Sequence, residues 1–289
     1  MRSIVRTMLA LLVTVNVSTA AVDVESLWQR GDLDASEARM RRALEGADGD
    51  DALVIITQIA RTYVFRRDFE HARELLLAQE DQVAAAAVEA QIRFWLELGR
   101  TYASHQHAPA DRSERTQAAA REVYERALGL AKGAALDALT IDALHMFAFV
   151  DTAPAAQLRW NERALSVVLA SRQASAKAWE ASVRNNLGEA LFDLQRFDEA
   201  LAQFEAALLL RRDQGAADTV LRDASWHVAR TLRLLGEFER ALEIQRSIAD
   251  AALAAKAPRV YVYTELSLLY EALGDQARAA HFAEHGAKL

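Results

Sequence analysis

Asp142 and His145 are the residues of this chain that could most clearly support catalysis. They stand three residues apart, so on a helix they share a face, as a carboxylate and the imidazole base that it orients would do. No nucleophile or third ligand is identifiable near them in the sequence. A half-buried histidine packed beside an aspartate therefore remains the simpler interpretation. The reactive alternative is a pocket around Asp142, His145 and residues 104–112 that serves a small-ligand sensor, a metal sensor or an enzyme.

Two further groups have the composition of metal sites. His105, His107 and Asp111 bring nitrogen and oxygen ligands into one short segment, and His281 and His285 have the i, i+4 spacing of a metal-binding pair. A solvated loop and an exposed terminal helix are the simpler interpretations. We predict no metal and no cofactor.

The rest of the sequence lacks familiar catalytic signatures. The 289 residues include no cysteine, which excludes disulfides, thiol catalysis and thiolate metal ligation. Neither Gly-x-Ser-x-Gly nor His-Glu-x-x-His occurs, and the glycines form no phosphate-binding loop. The sequence therefore predicts a protein that is not an enzyme.

The composition indicates helices throughout. Only three prolines and eleven glycines interrupt the chain, and alanine supplies much of the 52% hydrophobic content. Alanine, leucine, glutamate and arginine all favour helix. We expect an all-α fold.

Residues 1–20 have the pattern of a secretory signal peptide. Arg2 and Arg6 precede a short apolar run, and Ser18 and Ala20 stand at the −3 and −1 positions of a cut after Ala20. An uncleaved anchor is the alternative. We expect cleavage, a periplasmic or secreted protein, and no stable membrane insertion of the mature chain.

The charge of the chain is acidic. The formal net charge is −7, and it becomes −9 once Arg2 and Arg6 are removed with the signal segment. Because general nucleic-acid binders need a basic surface, we expect no nucleic-acid partner.

A repeated pattern shows how the helices are arranged. Ala200, Ala241 and Ala279 lie 41 and 38 residues apart, and each follows a short turn. Upstream of the first of these alanines, Gly188 is a small residue where two helices would cross. Periods of this length indicate a helical solenoid.

These residues resemble the tetratricopeptide repeat family. Its first-helix pattern stands here as Trp95, Leu98, Gly99 and Tyr102, and its second-helix pattern as Ala200, Phe204 and Ala207. The spacing near 40 residues is similar to the longer repeats of kinesin light chains, and Arg212 replaces the family's closing proline. The resemblance implies a right-handed α-solenoid of antiparallel helix pairs over residues 22–289, with about six to seven repeats. The repeats are clear at 181–289 and degenerate at 23–171, with an insertion of about nine residues at 104–112.

The resemblance also implies where a partner binds. First helices of such repeats line the concave side of the array. The candidate binding residues on that side are Asn185, Asn186, Glu189, Trp226, Arg230 and Arg233. An amide such as that of Asn186 can both donate to and accept from a peptide unit. The alternatives are an Asn186 bonded to a neighbouring helix and a Trp226 in the core.

We therefore expect a non-enzymatic scaffold of the bacterial cell envelope that binds a protein or peptide segment along its concave face. A homo-oligomer formed through the C-terminal hairpin is a further possibility, because the sequence ends without a polar capping helix.

Overall fold

The computed structural model describes residues 22–29 and 31–289, and every regular element in this part of the chain is a helix. The predicted signal segment, residues 1–20, lies outside the described residues. The helices are α1 (Val24–Leu27), α2 (Leu33–Leu44), α3 (Gly49–Phe65), α4 (Phe69–Leu77), α5 (Glu80–Val83), α6 (Val88–Arg100), α7 (Glu114–Gly133), α8 (Asp137–Val150), α9 (Pro154–Ala170), α10 (Ala174–Lys177), α11 (Glu180–Asp193), α12 (Phe197–Asp213), α13 (Asp218–Leu234), α14 (Phe238–Ala254), α15 (Val260–Ala272) and α16 (Gln276–Ala287).

Six antiparallel hairpins follow the short N-terminal helices, and they stack into a solenoid. The hairpins are α3–α4, α6–α7, α8–α9, α11–α12, α13–α14 and α15–α16. The predicted all-α solenoid of antiparallel helix pairs is confirmed. The short helices α5 and α10 each follow a second helix, and they bury Val83 and Ala176.

Four of the hairpins turn in the same way. The second residue after the first helix adopts a positive φ in each, at Arg67, Gln195, Gly236 and Gly274. The next amide then bonds back to a carbonyl five residues earlier, for example from Glu237 to Leu232 at 2.9 Å. This is the Schellman arrangement that ends helices, and it fixes the short connection between the paired helices.

The connection between α6 and α7 is longer. It runs over residues 101–113 and contains a 3₁₀ turn at Pro109–Asp111, whereas residues 194–196 suffice between α11 and α12. The residues of the predicted insertion lie in this connection.

Small residues sit where paired helices cross, as the sequence predicts. A Cβ added at Gly99 would lie 2.2 Å from the Tyr124 ring, and one at Gly188 would lie 2.6 Å from the Phe204 ring. Tyr124 and Phe204 are both fully buried. A large ring on the second helix thus fills the space that the missing side chain leaves.

Successive first helices pack directly against each other at three of the five junctions of the array. α3 contacts α6, α6 contacts α8, and α13 contacts α15. No comparable contact joins consecutive second helices in the described part of the chain. Because the more closely spaced layer of a curved array lies on its inner side, we assign the first helices to the concave surface. None of the described helices is both long enough and apolar enough to cross a membrane.

Candidate functional site

Polar side chains recur at fixed positions on the first helices, relative to the small residue at each crossing. We call this surface the first-helix face. On most of these helices, one polar residue lies two positions before the crossing and another lies one position after it. In that order, they are Gln58 and Arg61 on α3, Glu97 and Arg100 on α6, Asn186 and Glu189 on α11, and His227 and Arg230 on α13. On α15, Glu265 lies two positions before the crossing. Since the crossing residue itself points at the partner helix, these positions point along the layer, toward the neighbouring first helices.

In the N-terminal half, these residues form a buried ion network that joins three first helices. Arg100 donates to Glu97 at 2.6 Å and to Asp142 of α8 at 2.5 Å. Arg61 lies 3.3 Å from Glu97 and 3.9 Å from Asp142. We call these four residues the N-terminal network. The side chains of Glu97 and Arg100 are 3% and 8% exposed, so the network has little access to water.

Burial and charge set the pKa values in this network. Burial alone would raise the pKa of Asp142, but the Arg100 and Arg61 charges outweigh it, so that pKa is lowered. Burial lowers the pKa of the adjacent His145 to about 4. Asp142 therefore stays ionised and His145 stays neutral near pH 7.

Asp142 and His145 lie near each other, but they do not form the hydrogen-bonded pair that an oriented base would need. Although the two residues share a face of α8, Asp142 points to Arg100 at 2.5 Å and makes no hydrogen bond with His145 within the described structure. The His145 ring instead meets Phe149 and Trp179 edge to face, with centroids 5.3 and 5.9 Å apart. An aspartate held by two arginines does not orient an imidazole base.

The expected pocket near Asp142, His145 and the insertion does exist as a cavity. Its volume is about 110 Å³, and its walls come from α3, α6, α8, the insertion and Trp179. Of the two insertion histidines, His105 lines this cavity, whereas His107 stacks on Phe69 at 3.8 Å and its Nδ1 lies 3.1 Å from the Ser104 hydroxyl. The two imidazoles therefore do not converge on one site. In residues 22–29 and 31–289, no group of three metal-ligating side chains comes together.

A second, more open cluster occupies the first-helix face of the C-terminal half. Glu189 lies 2.5 Å from both His227 Nδ1 and Arg230 Nη2. Arg233 donates two bonds to Glu265 of α15, at 2.7 and 3.2 Å. We call these five residues the C-terminal cluster. The Glu189 side chain is 35% exposed.

Burial and charge act on the carboxyls here as well. Burial raises the pKa of Glu189, but the bonds and charges of His227 and Arg230 outweigh that effect and lower it. Burial and the Glu189 charge raise the pKa of Asp193, one turn further along α11.

Trp226 and Arg230 form the predicted neighbouring pair. The Arg230 guanidinium lies over the Trp226 ring at 4.5 Å and over Phe192 at 4.1 Å. Trp226 is half-buried and meets Tyr261 edge to face, with ring centroids 5.0 Å apart. Its indole Nε1 has no hydrogen-bond partner within the described structure. The tryptophan thus joins α13 to α15 at the edge of the cluster.

The two neighbouring asparagines differ in their surroundings. Asn185 accepts a bond from Arg211 at 3.2 Å, whereas the side-chain amide of Asn186 makes no hydrogen bond with any described residue. The backbone carbonyl oxygen of Asn186 lies 3.5 Å from the side-chain nitrogen of Asn161. Asn186 is half-buried beside Glu189, so its amide is a donor and acceptor that the fold leaves unused.

Sequence reasoning placed Glu189, Arg230 and Arg233 on the concave side but did not predict that the charged residues of this face pair with one another. The signal was available, because Arg61 and Glu97 on successive first helices have opposite charge, as do Glu189 and Arg230. Opposite charges at neighbouring places in a repeat predict an ion pair across the layer.

Comparison with known proteins gives the family of the clear repeats. A family model described as tetratricopeptide repeat matches residues 179–254. These residues are tetratricopeptide repeats. The predicted family is therefore confirmed for residues 179–254. No curated protein matches the chain at a significant level.

Solved structures extend the likeness of fold beyond residues 179–254. A signal-transduction ATPase with numerous domains and a tetratricopeptide repeat sensor, from Pyrococcus horikoshii, superposes with a TM-score of 0.67 at 15% identity over 90% of this chain. The chain spans only 39% of that ATPase. The apo form of RapI superposes with a TM-score of 0.68 at 12% identity, covering 91% of this chain and 72% of RapI. The quorum sensor NprR from B. thuringiensis, in its apo form, gives 0.56 at 15% identity, covering 89% of this chain and 82% of NprR.

Proposed function

We propose that this protein is a non-enzymatic scaffold that binds an extended peptide segment of a partner protein along the first-helix face of α11, α13 and α15. The observation that carries the proposal is the unused amide of Asn186, which is half-buried within a face built before any partner arrives. One amide side chain can donate to a peptide carbonyl and accept from a peptide N–H at once. A preformed face also loses little entropy on binding.

The surroundings of Asn186 suit a peptide. Trp226 and Phe192 offer ring surface, and Glu189 and Arg233 offer charges of both signs within the same layer. Each of these charges already has a partner inside the protein, so the peptide does not have to supply a missing charge. Charged groups of the peptide can instead align with the existing ion pairs at the rim of the site.

A structural neighbour supports this use of the fold. NprR has been solved in complex with its cognate peptide NprX, and that structure superposes with a TM-score of 0.52 at 16% identity, covering 91% of this chain and 75% of NprR. A solenoid of this kind can therefore hold a peptide. The residues that hold it in this chain are proposed from its own geometry.

Selection from a random peptide library tests the proposal. Residues 21–289 would be immobilised, and the strongest peptide would be measured by fluorescence anisotropy against single variants. We expect Asn186→Ala to lower the affinity about tenfold, which corresponds to the roughly 1–1.5 kcal/mol of a hydrogen bond left unmade. Arg230→Ala should also lower the affinity, whereas Arg240→Ala should leave it unchanged.

Arg240 is the matched control because it is also a paired arginine. It lies on the second helix α14 and binds Glu237 and Glu205 at the exposed outer side. If the Arg240→Ala variant loses affinity and the Asn186→Ala variant does not, the peptide binds to the second helices, which contradicts this proposal.

We further propose that the protein is exported across a bacterial membrane. The support is the order of residues 1–20, with Arg2 and Arg6 before an apolar run and small residues before Ala21. Expression in a bacterium, followed by fractionation and N-terminal sequencing, should yield a periplasmic or secreted protein that begins at Ala21. A cytoplasmic protein that keeps Met1 would contradict export.

A further inference from the structure

The cavity between α3, α6 and α8 is a place where the fold leaves both a donor and an acceptor without partners. Its volume is about 110 Å³, and it is separate from the proposed peptide site on α11, α13 and α15. Apolar side chains and rings supply most of its wall: Val64, Phe65, Met146, His105, His145 and Trp179. Charged groups of the N-terminal network supply part of the rest.

The charges of that network are balanced. Two arginines, Arg61 and Arg100, lie beside two carboxylates, those of Glu97 and Asp142. His145, whose pKa burial lowers to about 4, adds no charge near pH 7. A guest with a net charge of either sign would therefore introduce an unbalanced charge beside largely buried groups, which is costly. The cavity suits a neutral guest.

Arg61 brings unused donors to the cavity. A guanidinium has five N–H groups, yet Arg61 makes no hydrogen bond with the described residues, and its approaches to Glu97 and Asp142 are 3.3 and 3.9 Å. The reason is competition, because Arg100 takes one oxygen of each carboxylate at 2.6 and 2.5 Å. The guest must therefore offer an acceptor.

Asp142 brings an unused acceptor to the same cavity. Its Oδ1 accepts a bond from Arg100, whereas its Oδ2 accepts none from the described residues. The Oε2 of Glu97 is likewise without a partner in that part of the chain. Since free carboxylate oxygens already stand beside the arginines, a guest that only accepts would meet repulsion from them. The guest must also offer a donor.

The unused donor and acceptor are neighbours. Arg61 Nη2 and Asp142 Oδ2 are 3.9 Å apart, which is too far for a hydrogen bond between them. A planar group that carries an acceptor and a donor on the same carbon atom can bond to both at once. A primary carboxamide is such a group, because its oxygen accepts and its nitrogen donates.

The volume limits the size of the guest. A cavity of about 150 Å³ holds benzene, which has six non-hydrogen atoms. In proportion, about 110 Å³ holds about four, which is the size of acetamide. We propose that this cavity binds a primary carboxamide of that size, with its oxygen on Arg61, its N–H on Asp142 Oδ2 and its methyl group against the apolar wall at Val64 and Met146.

Isosteres of acetamide test the proposal on the unchanged protein. Acetone, acetate and acetamidinium share its shape and number of non-hydrogen atoms, but acetamide alone is neutral and both donates and accepts. Isotope-labelled methionine methyl groups in residues 21–289 report binding by nuclear magnetic resonance. Met146 lines the cavity, whereas Met40 is fully buried in a different cluster and serves as the internal control.

We expect acetamide to shift the Met146 signal saturably, at millimolar concentrations because the ligand is so small, and to leave the Met40 signal unchanged. Acetone lacks the donor to Asp142, acetate adds a negative charge beside that residue, and acetamidinium adds a positive charge beside Arg61. Each of the three should bind at least about tenfold more weakly than acetamide.

A pair of arginine variants places the ligand in the cavity. Arg61→Met should weaken acetamide binding at least about tenfold, because the donor is lost. Arg66→Met is the matched control: Arg66 lies on the same helix and is 28% exposed against 26% for Arg61, but it binds Asp34 and Glu37 and does not line the cavity. That variant should bind acetamide as the unchanged protein does. Circular dichroism establishes that both variants are folded, and the isostere comparison needs no variant.

The source of the carboxamide can also be distinguished. A free small amide and the end of a glutamine side chain carry the same chemistry, so acetyl-glutamine methylamide is titrated beside acetamide, with acetyl-glutamate methylamide as its charged counterpart. A Met146 shift with either primary amide supports the site, and the tighter of the two identifies the source. Equal binding of acetamide and acetone or acetate, equal shifts of Met40 and Met146, no shift with either amide, or full binding to the Arg61→Met variant would overturn the proposal.

Discussion

The N-terminal network and the C-terminal cluster use the same places on the first helices but differ in their exposure to water. Glu97 and Arg100 are 3% and 8% exposed and connect to Asp142. Glu189 is 35% exposed, although it holds two partners at equally short distances. The same repeat positions thus form a buried ion network at one end and, at the other, a cluster in which Glu189 is open to water while Glu265 is 10% exposed.

The difference shows how a repeat protein can use one region for stability and another for ligand binding. A buried ion network becomes costly when one member is removed, because the remaining charge cannot be hydrated. The loss of one partner costs less where water can reach the remaining charge, as it can at Glu189, whose side chain is 35% exposed. We therefore expect the N-terminal network to affect stability and the C-terminal cluster to affect recognition.

The largest expected effect is the loss of Arg100. Arg100→Met leaves Glu97 and Asp142 without their main partner, and it should lower the free energy of unfolding by about 3–5 kcal/mol. The matched change Arg230→Met should cost less than about 2 kcal/mol, because water can reach Glu189. Urea unfolding followed by circular dichroism measures both. Equal losses would show that the two regions do not differ in this way.

Acidification should distinguish the regions through His145. The pKa of its imidazole is about 4 in the folded protein, below the ordinary value near 6.5, so the unfolded chain binds the proton first as pH falls. This group therefore costs no stability above about pH 6.5, and the cost grows to about 3 kcal/mol as pH falls to 4.

Other acidic groups also titrate in that range, so a variant is needed to isolate the effect. His145→Asn should remove this part of the dependence when unfolding free energies at pH 7 and pH 4.5 are compared. An unchanged difference between the two pH values would show that His145 is hydrated in solution.

Alanine substitutions at the two glycine crossings test whether the paired helices pack equally tightly in the N-terminal and C-terminal halves. Gly99→Ala and Gly188→Ala should each cost about 1–3 kcal/mol, because the new methyl group overlaps a buried ring. Gly99→Ala should cost more, since the Tyr124 hydroxyl donates to the Ala103 carbonyl at 2.7 Å and holds that ring in place. Thermal unfolding ranks the two. A greater loss of stability in Gly188→Ala than in Gly99→Ala would contradict the expectation that the Tyr124 ring is held more firmly than the Phe204 ring.

The smallest expected effect on stability is at Asn186. Because its amide has no partner in the described structure, Asn186→Ala should change the free energy of unfolding by less than about 0.5 kcal/mol. Asn161 is the matched residue: it is 2% exposed and donates to the Gln157 carbonyl at 3.0 Å, so Asn161→Ala should cost about 1–3 kcal/mol. A large loss at Asn186 would mean that its amide serves the fold.

The helical pattern and the crossings could be predicted from the sequence because they depend on local spacing. The sequence predicts a helix crossing at Gly188, and the Phe204 ring of the partner helix lies against it. The degenerate repeats expected at 23–171 do contain helix pairs, for example Asp137–Val150 with Pro154–Ala170. Periodicity within one hairpin is enough for such predictions.

The polar pairing could not be predicted in the same way. Asp142 and His145 are close in sequence, yet Arg100, 42 residues away, takes the aspartate, because charge and burial outweigh proximity along one helix. The short helix α10 lies between α9 and α11, and its four residues carry no periodic signal. Pairing between hairpins depends on how each hairpin stacks on the next, which a single repeat does not encode.

Site-specific photo-crosslinking tests the central claim most directly. A benzoylphenylalanine is placed at exposed positions of the first-helix face, Asp193 and Leu268, and at exposed positions of second helices, Leu209 and Leu253. With the library-selected peptide bound, the first two positions should form crosslinks and the last two should not. Crosslinks from Leu209 and Leu253 alone would place the peptide on the outer layer and contradict binding on the first-helix face.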